Sequence, residues 1–343
     1  MNGELLLEVE GLYTHFFTDE GVVKAVNGVS FSISRGETLC LVGESGCGKS
    51  ITARSILQLV DPPGRIISGS IKLHREGKIL DIARLDPRGR GMREVRGGEI
   101  AMIFQEPMSS LSPIHSIGDQ IAEAMQLHLR LPKEEALTRA ASLLERVGIP
   151  EPEKRLKSYP FELSGGMRQR AMIAMALSCS PSLLIADEPT TALDVTTQAT
   201  ILDLIKDLQA EYGMAVLFIT HDLGVVAEIA DKVAVMYLGK IMERADVDVV
   251  FHDPKHPYTQ ALLRSIPKLV VDGERRLASI RGMVPHPFQR PRGCPFHPRC
   301  EKRMAGACDT LDPPLEPLSA EHAVSCLLYR DVERVPRATA EER

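Results

Sequence analysis

The chain has 343 residues, of which 44% are hydrophobic and 25% are charged, and its formal net charge is −5. This composition is typical of a soluble globular protein, and the acidic excess argues against a general nucleic-acid role. No apolar run approaches the ~20 residues that a bilayer helix needs, and the first residues lack the basic start of a signal peptide. We therefore expect a cytoplasmic protein that reaches a membrane only through other proteins.

The first third of the chain alternates between predicted strands and helices. Strands are predicted at 5–9 and 29–33, and in the second the side chains of Val29, Phe31 and Ile33 share one face. A buried strand at 38–42 and a helix at 51–60 follow, with a glycine-rich octapeptide between them. Further short strands are predicted at 70–73 and 99–104.

In the middle of the chain the predicted pattern changes from alternating strands and helices to helices alone, and then back. Apolar spacing predicts helices from about 117 to 156, after which β-rich runs return at 183–186, 215–220 and 232–236. Helices predicted at 197–212 and 223–229 separate these runs. The alternation predicts an α/β fold with a mostly parallel sheet and a helical insertion. Past about Pro254, closely spaced prolines and cysteines replace the regular pattern and indicate a small appended domain.

The octapeptide GESGCGKS has the sequence of a phosphate-binding loop. It fits G-x-x-x-x-G-K-[ST], whose backbone N–H groups wrap the phosphates of a nucleotide. Gly46 and Gly48 let the backbone curl around an anion, Lys49 brings a charge to the β- and γ-phosphates, and the Ser50 hydroxyl is placed to bind Mg²⁺. The following helix adds its N-terminal dipole. The predicted nucleotide-binding residues are Gly43, Glu44, Ser45, Gly46, Cys47, Gly48, Lys49 and Ser50.

Two adjacent carboxylates follow the apolar run at 183–186. A strand end beside the phosphate loop lets Asp187 reach Mg²⁺, whereas Glu188 is placed to accept a proton from an attacking water. We therefore predict that this pair completes a nucleotide-hydrolysing site.

Residues 163–170, LSGGMRQR, resemble the signature motif of ATP-binding-cassette (ABC) ATPases. Further motifs of that family occur in order: Gln105 in IFQEP, the Asp187–Glu188 pair, Asp194 in ALD and His221 in ITHD. The resemblance spans roughly 5–250. It implies a P-loop ABC ATPase core, in which a mostly parallel sheet is joined by an antiparallel β subdomain and a helical subdomain, and it implies ATP and Mg²⁺ as ligands.

The resemblance also implies a role for each motif. Glu188 is expected to be the general base, His221 to contact the γ-phosphate, and Gln105 to touch Mg²⁺ together with Ser50 and Asp187. These are the expected catalytic and magnesium-binding residues.

The resemblance further implies which residues contact the adenine ring and which contact a partner subunit. Phe16, with Phe17 as the fallback, is expected to stack on adenine, and Asp194 to couple two facing sites. The signature opens a helix, whose free N–H groups favour an anion. In the family, two cassettes face each other head to tail and sandwich two ATP molecules. The signature residues that would act on the partner's ATP are Leu163, Ser164, Gly165, Gly166 and Met167.

Residues 256–263, HPYTQALL, and 293–300, GCPFHPRC, resemble the tail of ATPases from dipeptide and oligopeptide importers. This implies a peripheral protein on the cytoplasmic face of the inner membrane. Its implied partners are a second ATPase subunit in a heterodimer, two transmembrane permeases, and an extracytoplasmic solute-binding protein. One departure is Leu111-Ser112-Pro113, where the subgroup commonly has Leu-Asn-Pro near the permease contact. It leaves an oligosaccharide or a nickel complex as the alternative cargo, and a non-transport ABC ATPase as a remote alternative.

Four cysteines near the C-terminus, Cys294, Cys300, Cys308 and Cys326, are spaced C-x5-C-x7-C-x17-C. In a reducing cytosol such a group indicates a metal site, and four thiolates suit either a [4Fe–4S] cluster or Zn²⁺. Zinc sites usually contain pairs separated by two to four residues, which this spacing lacks. The resemblance to the importer subgroup favours [4Fe–4S], with Zn²⁺ or unmetallated cysteines as the alternatives.

These observations predict the domain boundaries. We expect an ABC ATPase domain at 1–253 that includes a helical subdomain at about 108–180. A C-terminal domain of the oligopeptide-importer type at 254–330 would carry the four cysteines, and a tail at 331–343 would be disordered.

Overall fold

The computed structural model describes residues 3–105, 110–191, 194–266 and 280–330, so the predicted tail at 331–343 lies outside it. Within these ranges the strands are β1 Leu5–Thr18, β2 Gly21–Ser34, β3 Thr38–Val42, β4 Gly64–Arg75, β5 Lys78–Asp81, β6 Ile100–Ile103, β7 Leu183–Asp187, β8 Ala215–Thr220, β9 Lys232–Tyr237, β10 Lys240–Asp246, β11 Glu316–Pro317 and β12 Ala323–Val324. The helices are α1 Lys49–Ile56, α2 Arg90–Val95, α3 Ile117–His128, α4 Lys133–Arg146, α5 Pro152–Arg155, α6 Gly165–Leu177, α7 Val195–Tyr212, α8 Leu223–Ile229, α9 Val247–His252 and α10 Pro257–Arg264.

The central sheet has the strand order β11-β12-β10-β9-β3-β8-β7-β6. The strands from β9 to β6 are parallel to their neighbours, whereas β10 is antiparallel to β9. Every residue of β3, β7 and β8 is buried, because both faces of the sheet are covered. Leu39 and Leu41 pack into one core and Cys40 and Val42 into the other. The predicted mostly parallel sheet is therefore confirmed.

A second sheet has the order β2-β1-β4-β5, and all its strand pairs are antiparallel. Val9 lies opposite Phe31 in the β1–β2 register, and both side chains are buried. The implied antiparallel subdomain is thus present. β1 and β2 each run for 14 residues, well past the predicted strands, because a tight turn at 19–20 continues one strand into the other.

The helical insertion lies between β6 and β7 and, in its described part, includes α3 to α6. The stretch predicted as helical from 117 to 156 is divided into three helices. Pro132 immediately precedes α4, and Gly148, which has a φ of 72°, follows it. Ala136, Ala140 and Leu144 form the buried stripe of α4, which agrees with the apolar spacing of the sequence.

The C-terminal region extends the central sheet. β12 pairs with β10, and the buried side chains of Tyr258, Cys294 and Phe296 belong to the main hydrophobic core. The region therefore shares the core of the ATPase part. The boundary at 253/254 stays a prediction. Among the described residues, none of the helices has both the length and the apolar character needed to cross a bilayer.

Candidate nucleotide-binding site

The predicted site residues converge because they follow neighbouring parallel strands. The phosphate loop follows β3, His221 follows β8, Asp187 ends β7 and Gln105 follows β6. The carboxyl ends of parallel strands meet at one edge of a sheet, where ligands bind in open α/β folds. A cavity of about 840 Å³ opens at this edge.

The phosphate loop requires glycine at two positions where the backbone approaches its neighbours. A Cβ on Gly43 would lie 2.1 Å from the Met236 carbonyl oxygen, and a Cβ on Gly48 would lie 2.2 Å from that of Ala25. Both glycines also have positive φ, 153° and 106°. The loop is therefore pressed against β2 and β9, with its other side open to the cavity.

The polar groups of the loop are arranged for a phosphate and a cation. The Lys49 ammonium group, buried at 5% exposure, donates to the carbonyl oxygens of Gly43 at 2.8 Å and Glu44 at 3.3 Å. The Ser50 hydroxyl donates to a carboxylate oxygen of Asp187 at 2.9 Å. Burial raises the pKa of Asp187, and the Ser50 hydrogen bond opposes this. A hydroxyl and a carboxylate at this spacing are oxygen ligands that suit Mg²⁺.

Three side chains surround the carboxylate of Glu188. Its oxygens accept from the Gln105 amide at 3.1 Å and the Thr191 hydroxyl at 3.0 Å, and the His221 Nδ1 lies 3.3 Å away. Glu188 has a φ of 48°, a conformation that non-glycine residues seldom adopt and that is common at functional sites. The structure thus brings Glu188, His221 and Gln105 into one cluster at the cavity.

Sequence reasoning missed several residues of this site. Thr191 follows Glu188 by three residues, and its N–H donates to the Glu188 carbonyl oxygen at 3.2 Å, which turns the side chain back toward the carboxylate. The EPTT sequence carries a turn signal that could have located it. The cavity is also lined by residues of β2 and the C-terminal region that were not predicted to belong to the site: Val23, Lys24, Ala25, Leu262, Val284, Pro287 and Arg290.

Two predicted nucleotide-binding residues lie outside the cavity lining. Phe16 packs at Gly64, where an added Cβ would be 2.5 Å from the Phe16 ring and 2.7 Å from Val60. Its role in adenine stacking stays a prediction. The Cys47 side chain is buried at 3% exposure on the core side of the loop, and burial raises the pKa of its thiol. The other seven residues of the octapeptide all line the cavity.

The signature residues form a separate surface that does not line the cavity. Ser164 caps α6 by accepting from the Met167 N–H at 3.3 Å, whereas Leu163 is buried. The exposed Gly165 has no atom within 4 Å of where its Cβ would lie. Asp194 caps α7 next to this surface, since the Thr197 methyl lies 3.4 Å from where a Cβ on Gly166 would be. The Asp194 carboxylate accepts from the Thr197 hydroxyl at 2.7 Å and from the Thr197 N–H at 2.9 Å, and these bonds lower the pKa of the carboxyl.

The four C-terminal cysteines line one small cavity together with His256 and His297. Burial raises the pKa of Cys294 to about 12 and of Cys326 to about 11, and it also raises that of Cys300. Thiolates there need a positively charged centre for stability. Among the described ranges, no three His, Cys, Asp or Glu residues are arranged to hold a single metal ion.

Comparison with known proteins identifies the family. A profile for the ABC transporter matches residues 26–191, and a profile for the oligopeptide/dipeptide transporter, C-terminal region, matches residues 242–308. The chain is 52% identical over 329 residues to a probable peptide ABC transporter ATP-binding protein, y4tR, of Sinorhizobium fredii, with 96% of each chain covered. This chain belongs to the ABC transporter family. The resemblance inferred from the motifs is therefore confirmed.

Other ABC proteins extend the comparison. The oligopeptide transport ATP-binding protein AppD of Bacillus subtilis is 52% identical over 328 residues, covering 95% of this chain and 97% of AppD. The solved dimeric structure of the ATP-binding cassette MJ0796, in a post-hydrolysis state with ADP and Pi, has a TM-score of 0.62 and 25% identity. It covers 71% of this chain and 99% of MJ0796. The cassette fold predicted from the motifs is therefore present.

Proposed function

We propose that this chain is the ATP-hydrolysing subunit of an ABC importer for di- and oligopeptides. The observation that carries the proposal is the convergence of Lys49, Ser50, Gln105, Glu188 and His221 on one cavity. The peptide cargo is supported by relatives such as AppD and y4tR, whose names refer to peptide transport. An oligosaccharide or nickel importer, and a non-transport ABC ATPase, are not favoured by these relatives.

Hydrolysis joins a water oxygen to the γ-phosphorus of ATP and breaks its bond to the bridging oxygen of ADP. Glu188 would orient the water and accept its proton, while His221 and Gln105 hold the carboxylate in place. Lys49 and the loop N–H groups would bind the β- and γ-phosphates. Mg²⁺, when bound, neutralises phosphate charge, and the residues that would hold it are Ser50, Gln105 and Asp187.

The signature surface, defined as residues 164–167 together with Asp194, would meet a second ATPase subunit, and the buried Leu163 would support it from below. An exposed helix start that does not line its own chain's cavity is suited to an anion held by another chain. Ser164 and Gly165 would thus complete the site of a partner that carries the facing phosphate loop. The dimeric MJ0796 relative supports this arrangement, and pairing with a different ATPase chain is proposed from the importer subgroup.

The remaining proposed partners are two permeases in the membrane and a solute-binding protein on its far side. Ile114 and Phe161 of the helical subdomain are 77% and 68% exposed, and Phe161 stacks on Tyr159 at 5.6 Å. Such exposed apolar side chains suit a docking surface for the two permeases. The chain would then bind at the cytoplasmic face as a peripheral subunit, and an extracytoplasmic solute-binding protein would deliver peptide to the permeases.

The four-cysteine cavity would hold a [4Fe–4S] cluster. The support for this proposal is that Cys294, Cys300, Cys308 and Cys326 all line the same cavity and that four thiolates are the usual ligands of such a cluster, with Zn²⁺ as the alternative. The expected result of anaerobic purification is visible iron–sulfur absorbance with bound iron. Zinc without iron, or neither metal, would refute this assignment.

The proposed function is tested with the assembled transporter in proteoliposomes. Glu188→Gln should retain ATP binding but lose hydrolysis and peptide uptake, because the amide cannot accept the proton. Lys49→Ala should lose nucleotide binding itself. Near-normal turnover in Glu188→Gln would contradict the role of the base. Uptake of a sugar or a nickel complex without any peptide uptake would contradict the cargo.

A further inference from the structure

The C-terminal region reaches the phosphate loop through one residue of the loop. The Glu44 carboxylate accepts two hydrogen bonds from the Arg299 guanidinium, at 2.6 and 3.0 Å. The Glu44 backbone N–H donates to the Tyr258 hydroxyl at 3.0 Å. Together with the Lys49 contact on its carbonyl oxygen, these bonds restrain Glu44 at three points. Two of the three come from the C-terminal region.

The Arg299 side chain is itself held in a rigid, buried setting. It is 4% exposed, and its Nε donates to the Arg281 carbonyl oxygen at 3.2 Å. The guanidinium lies over the rings of Tyr237 and Phe296, with centroids 5.8 and 6.0 Å away. The Tyr258 ring packs on both of these rings, at 4.7 and 5.2 Å. A planar, bidentate guanidinium on aromatic faces is a geometry that lysine cannot reproduce.

The contact between Arg299 and Glu44 matters for ATP binding because Glu44 is negatively charged. Glu44 lines the same cavity as the phosphate-binding groups of its loop, and a free carboxylate there would repel a polyphosphate. Arg299 is the cation that neutralises it, with the two side chains 4% and 23% exposed. At this burial, water screens the carboxylate only in part, so loss of the cation would leave a repulsive charge in the nucleotide cavity.

We propose that Arg299 is a positioning residue of the nucleotide site, which holds Glu44 neutralised and fixed so that the phosphate loop can accept ATP. This inference rests on the proposed nucleotide site. The C-terminal region thereby supports the nucleotide site. The contact between Arg299 and Glu44, which are 255 residues apart in the sequence, fixes the conformation of the phosphate loop.

The test is a titration of the purified full-length chain with the fluorescent nucleotide N-methylanthraniloyl-ATP. Arg299→Gln should weaken binding about ten-fold or more, since an unpaired carboxylate then lies in the phosphate loop beside the phosphates. Arg299→Lys should be intermediate, because one point charge replaces the fork. The double variant Glu44→Gln with Arg299→Gln should recover most of the affinity, because the repulsive charge is gone. A purely structural role for Arg299 would leave the double variant as weak as the single one.

Arg281→Gln is the matched control. Its side chain lies in the same region, is 85% exposed, and does not reach Glu44, so its affinity should stay within about two-fold of the wild type. Affinity of Arg299→Gln within two-fold of the wild type, or no recovery in the double variant, would overturn the proposal. If Lys49→Ala also retained normal affinity, the proposed nucleotide site itself would be wrong. The Lys49→Ala result therefore separates a failure of the Arg299 proposal from a failure of the proposed nucleotide site.

Discussion

Thr191→Val is a sharp test of the Glu188 cluster, because it removes one hydroxyl and preserves the side-chain shape. The hydroxyl donates to Glu188 at 3.0 Å, and a hydrogen bond to a charged group contributes about 1.5–3 kcal/mol. The Glu188 side chain is 13% exposed, so water can replace part of the lost bond. We therefore expect the low end of this range.

A loss of ~1.4 kcal/mol in transition-state stabilisation corresponds to a ten-fold lower rate. The expected result is a ten-fold lower kcat with little change in KM for ATP, because Thr191 acts on the base and not on the phosphate-binding loop. The assay is steady-state ATP hydrolysis by the assembled transporter. Thr200→Val is the matched control, since the Thr200 hydroxyl donates to the Thr196 carbonyl oxygen on the exposed side of α7, away from Glu188. A kcat within two-fold of the wild type, or a change confined to KM, would refute the reasoning.

Three further substitutions address other parts of the molecule. Gly43→Ala should abolish nucleotide binding and cost about 1–3 kcal/mol of stability, because its Cβ would lie 2.1 Å from the Met236 carbonyl oxygen; binding and a Tm near wild type would contradict this. Ser164→Asp should leave ATP binding by the isolated chain intact but stop hydrolysis in the assembled complex, where the added charge would face the partner's ATP. Undiminished hydrolysis would exclude the proposed sandwich. Phe161→Asp should weaken co-purification with the permeases, whereas Ile79→Asp, on the antiparallel sheet and 63% exposed, should not; equal effects would argue against the docking surface.

Local patterns were sufficient for the chemistry of the site. The phosphate loop is one continuous octapeptide, and the residues proposed to be catalytic lie in short motifs at strand ends. Since parallel strands bring their carboxyl ends to one edge, the sequence alone places Gln105, Asp187 and His221 beside the loop. The central sheet and the helical insertion could also be predicted, because the hydrophobic periodicity of each strand and helix is a property of a short stretch of sequence.

Such patterns could not predict on which side of a sheet a side chain lies, nor which residues far apart in the sequence are in contact. The position of Phe16 depends on how β1 pairs and on which face of that strand meets Gly64. Shifting the facing of a strand by one residue exchanges the two sides of a sheet, so a motif alone cannot assign the side. The appended region likewise looked separate because β11 and β12 are only two residues long each and β11 contains Pro317, so the sequence there carries no strand pattern.

The ATPase activity of this chain can be read from local motifs of the ABC transporter family, because nucleotide binding and hydrolysis need specific residue types at short, fixed spacings. The contacts of Arg299 and Tyr258 with Glu44, in contrast, are visible only once the chain is folded. No local spacing relates a residue near the N-terminus to one 255 positions later. Their contact exists because the C-terminal region packs into the same core that supports β3 and β9.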